Sequence, residues 1–61
     1  MDPRRQRTRE RLRGAVLELA AAKPIERVTV AELARAAGVM RDTVYRHTPG
    51  PVELLAEVLG E

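Results

Sequence analysis

Residues Thr29 to His47 read TVAELARAAGVMRDTVYRH, and their spacing decides the fold. Thr29, with Glu32 three positions on, writes a capping box: the hydroxyl accepts from a first-turn amide and the carboxylate reaches back to the cap. Val28, just before the cap, can staple onto Leu33. Leu33, Ala34 and Ala37 then share one inward face at helical spacing. Gly38 stands where a helix ends in a left-handed residue, a conformation glycine reaches without steric cost. Val39 can turn into the core and bridge to a short helix over about Arg41 to His47. In that helix Val44 is the central apolar anchor, and Arg41, Asp42, Thr43, Tyr45 and Arg46 form a poor core stripe but a good solvent or ligand face. The pattern is that of a helix-turn-helix.

Toward the N-terminus, residues 1–7 read as a basic, disordered arm. Thr8 is the candidate cap of a first helix, although Arg11 rather than an acid stands three residues later. Leu12, Val16, Leu19 and Lys23 follow helical spacing, and Ala15 and Ala20 widen the stripe. Arginines crowd the start of this helix, where the helix dipole disfavours them. That misfit makes sense if they serve an anionic ligand; a solubilising tail is the plainer alternative. Pro24 restricts Lys23 and ends the helix.

Toward the C-terminus, Gly50 takes a cap position, Pro51 begins a helix and Glu53 suits its first turn. Val52, Leu54, Leu55, Val58 and Leu59 give this helix more apolar surface than three short partners need, which implies contact with further chain or a second subunit. The expected fold is all-α: a homeodomain-like three-helix bundle with a helix-turn-helix over residues 8–48. The start or whole of a fourth, linking helix follows over residues 50–61.

Composition narrows the function. A chain of 61 residues makes one small domain, which buries only about 60% of its unfolded surface. It has no cysteine and one histidine, and no carboxylates cluster obviously with His47, so neither disulfide nor metal site is expected. No cofactor is expected either. Residues 1–13 set six arginines against Asp2 and Glu10, a balance of +4, while the remainder sums to −2. Such a basic segment on a near-neutral body suits DNA, RNA or a lipid surface. No apolar run approaches a membrane span or a signal-peptide core, so a cytoplasmic, nucleoid-associated protein is expected.

The exposed set on the third helix has the chemistry of groove recognition. In a helix-turn-helix one helix lies across the phosphates while the next enters the major groove. Arg41 suits the paired acceptors of guanine, and Asp42 can accept from cytosine or orient a neighbouring arginine. Thr43, Tyr45 and His47 can reach phosphates, Tyr45 can touch a thymine methyl, and Arg46 can serve a base or a phosphate. Each has a duller alternative. The arginines can simply solvate a helix, Asp42 can serve the dipole, and Thr43 can bond within its turn. Tyr45 can join the core, and His47 can satisfy a carbonyl at the helix end. Thr29 is structural if the box forms, with a phosphate contact as its possible second role. Arg4, Arg5, Arg7 and Arg9 are the candidate arm contacts.

Residues 8–59 resemble the N-terminal DNA-binding domain of the tetracycline-repressor (TetR) family of bacterial regulators. The likeness rests on Thr29-Val30, Leu33-Ala34, Ala37-Gly38-Val39, Thr43-Val44-Tyr45-Arg46-His47 and Leu54-Leu55. It implies backbone contacts from Thr43, Tyr45 and His47, base reading from Arg41 and Asp42, and a phosphate near Thr29. It also implies a larger helical domain, absent from this chain, that binds a small-molecule effector and makes a homodimer on a pseudo-palindromic operator. Four departures stand out. Met40 replaces a usual serine-like cap, and Thr48 replaces a large aromatic, which should thin the core. Pro51 replaces a frequent phosphate-binding lysine, and Pro24 replaces a glycine.

The leading expectation is sequence-specific binding of double-stranded DNA within a ligand-responsive repressor. The alternative is a protein-interaction module that keeps the helix-turn-helix architecture. Catalysis is not expected: His47 and Asp42 are five residues apart on one helix and face different directions, and so small a domain has little room for a pocket.

Overall fold

Four helices and one short turn organise the computed structural model, which describes residues 3–60. They are α1 (Pro3–Ala22), a single 3-10 turn (Ile25–Arg27), α2 (Val30–Ala37), α3 (Arg41–His47) and α4 (Pro51–Leu59). No strand occurs among the described residues. The architecture is the expected all-α helix-turn-helix with a fourth helix. Met1, Asp2 and Glu61 lie outside the described residues.

Leu12, Val16, Leu33 and Val44 are fully enclosed and come from α1, α2 and α3. Ala15, Ala34, Ala37, Leu54 and Val58 complete the core. α1 packs on both α2 and α4, and α2 packs on α3. Three of the core positions, one on α1 and two on α2, are alanines, whose small side chains suit close helix approach.

The capping box closes as its sequence dictates. The Glu32 amide donates to Thr29 Oγ1 at 3.1 Å, and the Thr29 amide donates to Glu32 Oε1 at 3.2 Å. Val28 and Leu33 are both buried beside it. Glu32 has a further role that its position in the box does not reveal. Lys23, past the end of α1, donates to its carboxylate, fastening the α1–α2 connection to the start of α2. That bond, helped by the Thr29 amide, holds the Glu32 carboxyl below its ordinary pKa.

Gly38 ends α2 in the left-handed region at φ 72°. Its amide donates to Arg35 O at 3.2 Å, and the Val39 amide donates to Ala34 O at 2.9 Å, satisfying carbonyls the helix leaves open. Val39 packs against the core, as its place after the turn suggests. Met40 stands at the cap position of α3 with no side-chain cap bond, and the Thr43 and Val44 amides donate to Met40 O.

Two local expectations are corrected. The arm expected over residues 1–7 is helical from Pro3 onward, so its arginines belong to α1. Pro3 supplies a preset φ at the first helical position, where its missing amide proton costs nothing. Arginine is itself a good helix former. Thr8 accordingly sits inside α1 rather than at its cap, its hydroxyl donating to Arg4 O at 3.0 Å. Arg9 also donates to Glu57 of α4 at 3.0 Å, tying the early turns of α1 to the bundle.

Thr48 fills the space below α3 as a buried side chain with both hydrogen-bonding capacities used. Its hydroxyl donates to Gly50 O at 3.0 Å and accepts from the Gly50 amide at 3.4 Å. A polar corner therefore stands where the resemblance leads one to expect an aromatic ring. Pro51, also buried, starts α4 directly after this corner.

Candidate nucleic-acid interface

On a helix that advances about 100° per residue, Val44 fixes the orientation of α3. Val44 is fully buried, so Asp42 and Arg46 occupy the opposite, outward face. Arg41 and Tyr45 flank that face on one side, and Thr43 and His47 on the other. Burial follows the same order: Arg41, Asp42, Tyr45 and Arg46 are exposed, while Thr43 and His47 are half-buried. Tyr45 keeps 55% of its surface exposed and is no core member. Met40, just before α3, is 74% exposed.

Thr29 stands apart from this set, at the N-terminus of α2. Its hydroxyl accepts from the Glu32 amide and lies 3.3 Å from Glu32 Oε1 as a donor. Its hydrogen-bonding capacity is therefore engaged within the box.

The helical form of residues 3–10 sorts the candidate arm arginines. Leu12 and Val16 define the buried face of α1. Steps of four back from Leu12 reach Thr8 and Arg4, and a step of seven reaches Arg5. These three residues and Thr43, Arg46 and His47 of α3 line one open cavity of about 580 Å³. A neighbouring cavity of about 520 Å³ continues toward α4, with Arg9, paired to Glu57, on its wall. Arg7 lines neither cavity. Thr8 is the lining residue that the sequence reading took for a helix cap rather than a site residue; its place one turn before Leu12 was the available signal.

Charge is concentrated in this groove. Its lining of Arg4, Arg5, Thr8, Thr43, Arg46 and His47 contains no carboxylate. His47 has its pKa pushed below the ordinary value, first by partial burial and then by the charges of Arg5 and Arg9. Among the described residues no group of three or more His, Asp or Glu could hold a metal ion.

A polar helix face beside a cationic groove, carried on a helix-turn-helix, is an arrangement suited to duplex DNA. Residues 12–58 match the model of the bacterial regulatory proteins of the tetR family. The chain belongs to the tetR family. It is a sequence-specific DNA-binding helix-turn-helix domain of that family, a non-catalytic module. The chain is 41% identical over 54 residues to the HTH-type transcriptional regulator SrpR of Pseudomonas putida, a match covering 88% of this chain and 25% of the relative. It is 42% identical over 52 residues to the uncharacterized HTH-type transcriptional regulator TtgW, also of Pseudomonas putida, covering 85% of this chain and 39% of the relative. The chain thus spans well under half the length of these tetR-family relatives. No solved structure matches it significantly. Among the described residues of this tetR-family domain, no helix is long and apolar enough to cross a membrane.

Proposed function

We propose that α3 is the recognition helix, with Arg41, Asp42 and Arg46 directed to base edges and Thr43, Tyr45 and His47 to the flanking phosphates. The observation that carries this is the single buried residue of α3. Val44 alone faces the core, so the rest of the helix presents polar side chains outward or along its edges. Arginine is the commonest bidentate reader of guanine, which makes Arg41 the residue most suited to set base preference. Thr29 acts here mainly through its cap, since its hydroxyl is already engaged. The parent regulator is a ligand-responsive repressor that binds a pseudo-palindromic operator as a homodimer and blocks transcription sterically. The small-molecule effector and the dimer interface belong to a domain beyond this chain. The exposed Val52 and Leu59 of α4 leave apolar surface for such a partner to cover.

Fluorescence-anisotropy titration against a mixed-sequence duplex library tests this reading, with Arg41→Ala as the partner protein. Selected duplexes should bind well above background, and Arg41→Ala should relax the preference at one position by about 1–3 kcal/mol. Equal binding of all duplexes by both proteins would remove base reading from α3. No binding by the folded domain would favour a protein-interaction module.

A further inference from the structure

We propose that the groove between the first turns of α1 and the Thr43–His47 edge of α3 is a phosphate clamp, in which Arg5 and His47 grip one DNA backbone phosphate from two helices. The inference rests on the reading of α3 as the recognition helix and adds a second element, α1, to the same interface. Four observations carry it. The cavity is open and lined by Arg4, Arg5, Thr8, Thr43, Arg46 and His47, without a carboxylate. Thr43 and His47 lie on the edge of α3, not at the centre of its outward face, so they border any duplex lying on that face. Pro51 offers neither charge nor amide proton at the start of α4. Arg5 is the α1 cation that lines both cavities, while Arg9, on the wall of the second, is paired with Glu57.

The clamp differs from a general basic arm in a way that can be measured. On a flexible arm, Arg5 and Arg7 would contribute alike. On α1 they point apart, and only Arg5 lines the groove. An Arg5→Ala substitution leaves an exposed helical position with the best helix former. Arg7→Ala removes the same charge two residues away.

Both variants and the parent chain would be titrated with a selected duplex and a scrambled duplex, at salt from about 50 to 200 mM. Arg5→Ala should weaken both duplexes about ten-fold, the order of one charge-assisted hydrogen bond. It should also flatten the dependence of log K on log salt by about one unit and leave the ratio between duplexes intact. Arg7→Ala should do much less on both counts. Equal losses from the two variants would show diffuse charge and overturn the clamp. A double-mutant cycle of Arg5→Ala with His47→Gln should be non-additive, because the two groups share one phosphate; simple addition would also overturn it. If the parent chain prefers the selected duplex while Arg5→Ala and Arg7→Ala behave alike, the clamp alone fails. If the folded parent chain shows no preference, the recognition-helix reading fails first and the clamp with it.

Discussion

Val44→Ala offers a direct measure of what holds α3 in place. Val44 is fully enclosed and is the only buried residue of α3. Removing two methyl groups forfeits about 1.6 kcal/mol of transfer free energy at about 0.8 per carbon. The cavity left behind adds about 1 kcal/mol if the surroundings relax only in part. Alanine's better helix propensity returns about 0.5 kcal/mol. The net loss is about 2 kcal/mol, a large share of the roughly 3–9 kcal/mol expected for a domain of this length. Val52 of α4 provides the matched control, because the same deletion there removes a side chain that is 48% exposed. Val52→Ala should stay within about 0.5 kcal/mol of the parent. Urea titrations followed by far-ultraviolet circular dichroism give both values from the shift in midpoint at constant slope. Indistinguishable midpoints for the two variants would mean that Val44 does not anchor α3, and the orientation of the polar face derived from it would fall too.

Two further outcomes follow from the same geometry. Met40→Ser should raise stability by about 1 kcal/mol, because α3 now starts without a side-chain acceptor and serine supplies one; an unchanged thermal midpoint would show that the first turn needs no cap. His47 should make stability fall on mild acidification. Its folded pKa lies below the ordinary 6.5, so as pH drops through that value the unfolded chain takes the proton first and gains. Unfolding titrations between about pH 8 and pH 5 should therefore show the parent losing more stability than His47→Gln. A parent–variant difference that stays constant across this range would contradict the sign.

The parts of this fold that were legible in the chain are those written locally. Thr29, Glu32 and Gly38 define both ends of α2 within ten residues, and Pro51 marks the start of α4. The lone Val44 among polar neighbours told which way α3 turns. What escaped depends on residues far apart. Arg9 and Glu57 are 48 positions from one another, and nothing near residue 9 says that its helix will be tied to the other end of the chain. The run of arginines even argues locally against a helix start, since no acid occupies the first turn described. Lys23 and Glu32 meet across a proline-containing connection, so their pairing has no helical spacing to betray it. Thr48 is intermediate: a threonine two residues before a glycine is a turn signal, but its complete burial is a tertiary fact. For the interface, α3 could be nominated from its polar composition alone. The division between Arg5 and Arg7 required knowing that both ride on a helix.

The helical start of α1 also fixes when order is imposed. A disordered basic arm surrenders its freedom on meeting DNA, at about 1–2 kcal/mol per residue of backbone immobilised. Here that ordering accompanies folding, because residues 3–8 continue a helix whose later turns lie in the core. If α1 and α3 both meet the duplex as proposed, the encounter becomes the docking of two preformed helices at a set separation, with little left to freeze. In that case the surface would work as a ruler: it would reward duplexes whose groove width matches the span from Arg5 to the outward face of α3 and give no room to follow those whose backbone runs elsewhere.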